Sequence, residues 1–400
     1  MKITDLRWTH VAVPLEAPLR SADGVGPGAL RRTILEIETD DGLIGLGEIG
    51  GRVSSDRLSA AKGIVVGRRP FELERLRLDI HGSRFYQMET AILASGIEMA
   101  CLDIQGKAIG CPVSDLLGGR LTDTVPAIAY IYRRPAADPH PEVSTTEQVV
   151  RHTRDLVERH GFQTIKMKGG AAPPEDDVDV MRALRAEFPR HKLRLDPNGA
   201  WTVATSLRVA SMLRDLDMEW LEDPTFGLDG MAEVTSRTSI ATATNMCLID
   251  FHELGSAVRR RAVDVMLLDI FFLGGLRATK EMAGACGAFG VDVGIHSGGS
   301  GGAELGVAVA AMVQVASTIP TLRCAIDAIY HQWRDDIITE PFAYTDGALT
   351  VPTGPGLGVT LDGEKMGRYA EAAEKARRDG GGRRPADPSR PDWFPTYPAY

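Results

Sequence analysis

The sequence lacks the cysteine pattern of a disulfide-bonded or zinc-binding protein. Its cysteines are odd in number and scattered, and none lies in a CxxC pair. Disulfide frameworks and structural zinc sites use even or closely spaced cysteines, so we interpret these thiols as reduced packing residues of a cytoplasmic protein. They are Cys101, Cys111, Cys247, Cys286 and Cys324.

Long apolar runs and an excess of basic charge are missing as well. No apolar stretch reaches the roughly 18 residues of a membrane span. The opening MKITDLRWTHVAVPL lacks the apolar core of a signal peptide. Lys and Arg number 45 against 54 Asp and Glu, a net charge of −9, whereas nucleic-acid-binding proteins usually carry a basic surface. We therefore expect a cytoplasmic protein with neither nucleic acid nor a membrane as partner.

The first part of the chain has the pattern of a small α+β domain. The 400 residues are enough for one large domain and a smaller one. Residues 33–39 and 43–48 flank an Asp-Asp-Gly step, which favours a tight turn, so they predict a β-hairpin. Apolar residues at helical spacing predict a helix over 91–109. Residues 1–122 are therefore predicted to form a small α+β domain.

From residue 125 the pattern changes to short apolar runs, each followed by a polar break and a helix-like stretch. Apolar runs that alternate with helices are typical of a parallel sheet covered on both faces. Eight such units in about 200 residues favour a closed (β/α)8-type barrel over an open doubly wound sheet. The runs span residues 125–132, 164–168, 193–198, 219–224, 240–246, 264–269, 292–297 and 321–327.

Six consecutive predicted strands end on a polar or ionisable residue, at intervals of 23 to 28 residues. Any one of these residues alone could be a helix cap or a loop residue. Active sites of such barrels, however, lie at the C-terminal ends of the strands. Six residues in phase therefore predict an active site. They are Lys168, Asp196, Glu222, Asn245, Asp269 and His296.

Three of these residues form an all-oxygen ligand set. Asp196, Glu222 and Asn245 come from adjacent strands and offer no sulfur or nitrogen ligand. Hard oxygen ligands suit Mg²⁺, which keeps positions open for water or substrate. The set therefore predicts a magnesium site whose charge the two carboxylates roughly balance.

The remaining residues of the six are acid/base candidates on either side of that set. Asp269 and His296 lie on neighbouring strands, where a carboxylate can fix the imidazole tautomer and hold it as an acid or base. Lys168 lies on the other side. A metal between two bases indicates abstraction of the proton beside a carboxylate, because the metal stabilises the negative charge that develops.

A second lysine shares the strand of Lys168. Side chains two residues apart in a strand point the same way, so Lys166 and Lys168 both face the barrel axis. A neighbouring ammonium disfavours protonation. We therefore hypothesise that Lys166 lowers the pKa of Lys168 toward that of a usable base.

With these residues in place, the sequence resembles the enolase superfamily, and within it the glucarate dehydratase group. The resemblance implies an N-terminal α+β capping domain, residues 1–122 completed by parts of 340–400. This domain closes over a (β/α)7β TIM-like barrel, residues 123–338, and residues 380–400 form a C-terminal tail. The motifs that carry the resemblance include KMKGG (166–170), DPNGAW (196–201), LEDP (221–224), ATNM (243–246) and HSGGSGGAELG (296–306).

The resemblance also implies roles for the site residues. Asp196, Glu222 and Asn245 would hold Mg²⁺, and Lys168 and His296 would be the bases. The implied activity is dehydration of an acid sugar: a base removes the proton α to a carboxylate, an acid expels the β-hydroxyl, and a 2-keto-3-deoxy acid results. His296, paired with Asp269, is the candidate acid. We also expect a homo-oligomer. The candidate substrate contacts are Asn198, Tyr130, Thr90, Ser297 and Arg384.

Several substrate-contact positions differ from those of glucarate dehydratases. Losing donors that recognise substrate hydroxyls weakens discrimination strongly, so D-glucarate is expected not to be the best substrate. A racemase or epimerase, or a sugar-lactone cycloisomerase, would use the same residues, and a catalytically silent relative is a further alternative. The differing positions are Ser21, Gly26, Gly298, Gly299, Ser300 and Ile329.

Overall fold

A computed structural model of the chain describes residues 1–50, 53–81, 87–298, 303–378 and 396–400. Within these ranges, no helix combines the length and the apolar character that crossing a bilayer requires. The described residues form a capping layer of sheet and helix, followed by a barrel of parallel strands.

The N-terminal region contains a three-stranded antiparallel sheet in the order β1–β4–β5, and β2 and β3 pair as a separate short hairpin. The predicted hairpin is confirmed as β4 and β5, with Gly42 of its turn at a φ of 77°. The predicted helix is confirmed as part of α3. The elements are β1 (Ile3–Pro14), β2 (Arg20–Ser21), β3 (Gly24–Val25), β4 (Ala29–Thr39), β5 (Ile44–Gly50), α1 (Ser55–Val65), α2 (Leu73–His81), α3 (Gln87–Ile109) and α4 (Val113–Leu116).

Helix α3 lies directly on β5 because small residues line their contact. A Cβ on Gly45 would come within 2.0 Å of the carbonyl oxygen of Ala100, and one on Gly47 within 2.1 Å of that of Gly96. Real Cβ atoms do not approach so closely, so glycine is what permits this packing. The sheet and the helix thereby pack closely as one layer.

The barrel follows as a seven-stranded parallel sheet in which each strand pairs with its neighbours in sequence, from β7 to β13. Helices separate the strands, as the alternating pattern predicts. The elements are β6 (Thr124–Pro126), β7 (Ala129–Ile131), α5 (Thr146–His160), β8 (Thr164–Lys168), α6 (Pro174–Glu187), β9 (Lys192–Asp196), α7 (Val203–Leu213), β10 (Trp220–Glu222), α8 (Leu228–Arg237), β11 (Thr242–Thr244), α9 (Phe251–Arg260), β12 (Val265–Leu268), α10 (Leu276–Ala288), β13 (Asp292–Ile295) and α11 (Gly306–Ala316).

The eighth predicted strand closes this sheet through isolated contacts. Leu322 forms a parallel bridge with β13, and Ile326 forms one with the residue two positions before β7. The backbone amide of Asp327 donates to the carbonyl of Ile295 at 2.9 Å. These contacts join the first and last strands of the sheet, so the fold is the (β/α)7β barrel with an N-terminal capping domain.

After the barrel, the chain contacts first the start of the barrel region and then the capping layer. Strand β14 (Tyr344–Thr345) pairs with β15 (Ala348–Thr350), which pairs with β6. Helix α12 (Gly363–Arg378) packs against β1 of the capping sheet.

Candidate active site

Lys168 lies at the C-terminal end of β8, buried among oxygen atoms. Its Nζ donates to Oδ2 of Asp196 at 2.5 Å and to Oδ1 of Asn198 at 2.6 Å. The hydroxyl of Tyr130 lies 3.3 Å from the same nitrogen. The ends of the first three strands therefore bring four predicted site residues together.

Lys166 lies deeper in the barrel and is fully buried. Its Nζ is 2.5 Å from Oε1 of Glu222, 2.6 Å from Oδ2 of Asp327 and 3.4 Å from Oδ2 of Asp196. Burial disfavours the ammonium form, but the three carboxylates outweigh that cost and raise the pKa of Lys166. This lysine is thus held as a permanent counter-ion of the carboxylates.

The hypothesis that the pKa of Lys168 is lowered is wrong for this structure. Burial is the largest influence and favours the neutral amine, and Lys166 acts in the same direction, as expected. The attraction of Asp196 opposes both, and the pKa of Lys168 is raised. The hypothesis considered only the effect of Lys166 on the pKa of Lys168. It left out the carboxylates at the ends of the neighbouring strands, which contact the ammonium and stabilise it.

The predicted ligands Asp196, Glu222 and Asn245 are buried at the ends of β9, β10 and β11. Oδ1 of Asn245 has no hydrogen-bond partner in the described part of the chain. Burial, and then repulsion by Asp196, raise the pKa of Glu222 well above its ordinary range, so the set is short of positive charge even beside two lysines. A buried amide oxygen left unpaired and two crowded carboxylates fit a hard divalent cation such as Mg²⁺.

The predicted ligand set combines two carboxylates with a neutral amide. Among the residues that the structure describes, no three His, Cys, Asp or Glu side chains form a metal-binding group. In the predicted set, the neutral amide of Asn245 would supply the third ligand beside the two carboxylates.

Asp223 is a buried residue that the sequence analysis missed. Its carboxylate accepts hydrogen bonds from the hydroxyl of Thr244 and, at 2.9 Å, from the backbone amide of Asn245. Its φ of 36° is in the left-handed region, and burial followed by repulsion from Asp196 raises its pKa to about 7. Asp223 therefore holds the backbone that carries Asn245. The adjacent acids of the LEDP motif were the available signal.

Asp327, at the closure of the barrel, was missed as well. Besides Lys166, it pairs with Arg194 at 3.3 Å. Arg194 in turn pairs with Glu219 at 2.6 Å and lies over the ring of Trp220 at 3.6 Å. These charges form a second layer beneath the predicted ligands, and the AID sequence at 325–327 was the signal for it.

Asp269 and His296 form the predicted pair. Nδ1 of His296 lies 2.8 Å from Oδ2 of Asp269. The other carboxylate oxygen accepts the backbone amides of Phe271 and Phe272 at 2.7 and 3.1 Å, so the carboxylate is fixed in place. With Nδ1 engaged, Nε2 is the nitrogen left for chemistry.

The remaining predicted contacts are less closely associated with the site. The hydroxyl of Ser297 donates to the buried carboxylate of Glu304, which also accepts the amide of Gly298 at 2.6 Å. Ser297 and Gly298 are therefore both bonded to Glu304. Thr90 is buried in the first turn of α3. The predicted residues that lie outside the described ranges are Arg384, Gly299 and Ser300.

Gly170 ends the strand segment that carries both lysines. Its φ is 73°, and a Cβ there would lie 2.5 Å from the carbonyl oxygen of Pro197 and 3.3 Å from Cβ of Ala22. We expect Gly170→Ala to lower the free energy of unfolding by about 1–3 kcal/mol, because the left-handed backbone and the crowding both penalise alanine. Urea denaturation measures the change. Gly63→Ala, at an open helical position in α1, is the control, and equal stabilities would contradict the prediction.

Two protein-family models match the chain. Residues 3–118 match the mandelate racemase / muconate lactonizing enzyme N-terminal domain. Residues 148–366, more than half of the chain, match the enolase C-terminal domain-like family. The chain belongs to the enolase superfamily. Its barrel and capping layer are those of this superfamily.

Curated enolase-superfamily relatives include dehydratases and cycloisomerases. A probable glucarate dehydratase of Streptomyces coelicolor is 40% identical over 92% of this chain and 90% of its own. A D-xylonate dehydratase of Haloferax volcanii is 27% identical over 90% of this chain and 87% of its own. A D-galactarolactone cycloisomerase of Agrobacterium fabrum is 27% identical over 92% of this chain and 99% of its own.

Solved enolase-superfamily structures match the chain over its full length. An enolase from Mycobacterium smegmatis complexed with tartrate has a TM-score of 0.91 at 36% identity, covering 100% of this chain and 98% of that one. An enolase from Thermobispora bispora complexed with magnesium and formate has a TM-score of 0.92 at 35% identity, covering 100% of both chains.

Proposed function

We propose that the protein is a Mg²⁺-dependent dehydratase of an acid sugar, an aldarate or an aldonate. One observation carries this proposal. The buried residues Asp196, Glu222 and Asn245 have Lys168 on one side along the strand order and the His296–Asp269 pair on the other. The dehydratases among its curated relatives and the magnesium bound to a structural neighbour support it.

The proposed reaction divides between the two sides of the site. Mg²⁺ held by Asp196, Glu222 and Asn245 would neutralise the charge that develops on the substrate carboxylate. Lys168, once deprotonated, accepts the α-proton as the C–H bond breaks. Its Nζ is kept in place by Asn198 at 2.6 Å.

On the other side, the histidine handles the leaving group. Asp269 holds Nδ1, so a proton on Nε2 of His296 can pass to the β-hydroxyl as its C–O bond breaks and water leaves. The resulting enol takes up a proton at the β-carbon and loses the proton of its α-hydroxyl, which gives the 2-keto-3-deoxy acid. For a substrate with the opposite α-configuration, the same imidazole would be the base.

The acid-sugar class can be tested by a screen of aldarates and aldonates with Mg²⁺. We expect a 2-keto-3-deoxy product from at least one of them. We expect D-glucarate to be turned over with a kcat/KM at least about tenfold below the best substrate, because Gly298, Gly299 and Ser300 are among the positions that differ from those of glucarate dehydratases, and the two glycines offer no side-chain donor to a substrate hydroxyl. Production of the 2-keto acid measures both, with EDTA-treated enzyme as the control. D-glucarate as the best substrate would contradict the second expectation.

The second candidate is an isomerase of the same superfamily, either a cycloisomerase or an epimerase. A D-galactarolactone cycloisomerase among the relatives favours it, and it would use the same bases without expelling a hydroxyl. Proton NMR in D₂O separates the reactions. Deuterium incorporation with inversion indicates an epimerase, ring opening or closure of a lactone indicates a cycloisomerase, and loss of a hydroxyl indicates the dehydratase.

The cellular setting is part of the same proposal. The acidic net charge of −9 and the scattered cysteines support a cytoplasmic enzyme whose partner is a small molecule, with neither nucleic acid nor a membrane involved. Assembly as a homo-oligomer is also proposed, and size-exclusion chromatography with light scattering would measure it.

A further inference from the structure

The last five residues, Thr396–Tyr400, lie on the mouth of the barrel; we refer to them as the C-terminal pentapeptide. The amides of Ala399 and Tyr400 donate to the carbonyl of Ala200 at 2.7 and 3.0 Å, and the amide of Thr202 donates to the carbonyl of Tyr400 at 2.7 Å. Backbone hydrogen bonds in both directions thus attach the pentapeptide to the loop between β9 and α7.

Tyr397 of the pentapeptide reaches two further elements. Its hydroxyl donates to the carboxylate of Asp23, in the turn of the β2–β3 hairpin of the capping domain. Its ring packs edge-on against Phe226, with centroids 5.8 Å apart. Phe226 lies against Gly199, where a Cβ would come within 2.5 Å of the ring. One side chain therefore connects the capping hairpin with the loops that follow β9 and β10.

The β2–β3 hairpin lies beside the Lys168 end of the site. Its buried Ala22 packs at Gly170, two residues beyond Lys168. The amide of Arg20 donates to the carbonyl of Arg133 at 2.8 Å. These contacts hold the hairpin on the side of β7 and β8, while Tyr397 holds it on the side of β9 and β10.

The loop between β9 and α7, to which the pentapeptide is bonded, carries a site residue. Asn198 has a φ of 58°, its amide donates to Oδ1 of Asp196 at 2.9 Å, and its side chain accepts from Lys168. The pentapeptide bonds two and four residues further along, at Ala200 and Thr202. The amide of Gly199 also donates to the carbonyl of Asp223 at 2.6 Å, so the pentapeptide adds to the bonds that hold the backbone of Asn198.

We propose that the C-terminal pentapeptide is a latch that positions the β2–β3 hairpin and the Asn198 loop over the bound substrate, with Tyr397 as the positioning residue. The hairpin has only six residues, and closing a site against water needs its covering elements to be ordered. The latch makes substrate retention depend on the far end of the chain. Its effect on retention rests on the proposed function, whereas its effect on hairpin order does not.

Hydrogen exchange of the backbone amides tests the latch without any substrate. We expect the amides of residues 20–26 to exchange about tenfold faster in Tyr397→Phe, which removes only the hydroxyl, and faster still in a chain that ends at residue 395. Tyr369→Phe is the matched control, because it removes a phenol bonded to Asp335 at 2.7 Å, a contact between α12 and the segment after the barrel. Wild-type exchange of residues 20–26 in both Tyr397→Phe and the shortened chain would overturn the latch.

Kinetics on the best acid sugar then test retention. For Tyr397→Phe we expect KM to rise about fivefold to tenfold with kcat within about twofold of the wild type, because the variant keeps the backbone bonds at Ala200 and Thr202 and with them the contact of Asn198 to Lys168. A fall in kcat with KM unchanged would overturn the positioning role. If the wild type turns over no acid sugar, the proposed function fails, and faster exchange of residues 20–26 would still support the latch.

Discussion

Lys168→Met and His296→Asn should each lower the rate of dehydration by about 10³-fold or more. General acid–base groups contribute roughly 10²–10⁴-fold, and each variant removes the proton carrier on one side of the site. The fold should survive, because Asp196 keeps Lys166 at 3.4 Å and Asp269 keeps its two backbone donors. The kcat for the best acid sugar measures the loss.

Exchange of the α-proton in D₂O assigns the two roles. If Lys168 is the productive base, His296→Asn retains exchange while Lys168→Met loses it, and the reverse assigns the base to His296. Lys192→Met, at the exposed start of β9, and His10→Asn, in the capping sheet, are matched controls that should keep wild-type rates. Dehydration within tenfold of the wild type in both site variants would refute the assignment.

Lys166→Met should lower the free energy of unfolding by about 3–5 kcal/mol in metal-free protein. Removing one partner of a buried ion pair leaves the other charge uncompensated, and here three carboxylates contact the lost ammonium within 3.4 Å. Lys192→Met is again the control, since its ion pair with Glu219 has a similar distance of 2.9 Å but an exposed lysine; we expect a loss of about 1 kcal/mol or less. Urea denaturation in EDTA compares them, and equal losses would contradict the prediction.

Added Mg²⁺ should recover part of the stability that Lys166→Met loses. A cation bound only to the folded state stabilises it by about 2.7 kcal/mol at a hundredfold excess over its Kd. A midpoint that does not respond to Mg²⁺ in the wild type or in Lys166→Met would argue against a metal at Asp196, Glu222 and Asn245, whatever the activity.

The cost of Lys166→Met should also depend on pH. The pKa of Lys166 is raised in the folded state above its ordinary 10.5, so its stabilisation is complete below about pH 10 and is lost as the pH rises through the folded value. Toward acidic pH the cost should shrink, because Glu222, whose pKa is raised, takes up a proton in place of the missing ammonium. Denaturation at pH 5 and pH 8 measures this, with the larger loss expected at pH 8.

The strand-end residues could be predicted from the sequence because, in a barrel of repeated βα units, residues one unit apart in the chain lie at the same end of the sheet. One βα unit spans about 25 residues, so residues such as Lys168, Asp196 and Glu222 at that spacing reach the same end of the sheet. The pairing of Asp269 with His296 follows from the same rule. The hairpin of β4 and β5 was predictable because an Asp-Gly turn is a local signal.

Other features depend on contacts between distant parts of the chain. Strand β1 pairs with β4 across the fourteen intervening residues 15–28, a separation that a local turn signal does not bridge. The burial of Asp223 and Asp327, and the raised pKa of Lys168, depend on which charges the fold places within a few ångströms. Side-chain pattern along one strand contains none of that information.

The sequence by itself therefore determined the fold class, the end of the barrel that carries the chemistry, and the residue types gathered there. The tertiary structure decided how those residues act on one another: that Lys166 is a counter-ion, that Ser297 is bonded to Glu304, and that Tyr397 reaches Asp23 across the chain. The physical reason is that the repeat of apolar residues specifies which elements form, in which order, and which way each side chain faces. Electrostatic and hydrogen-bond energies depend instead on distances of a few ångströms, which exist only once the whole chain is folded.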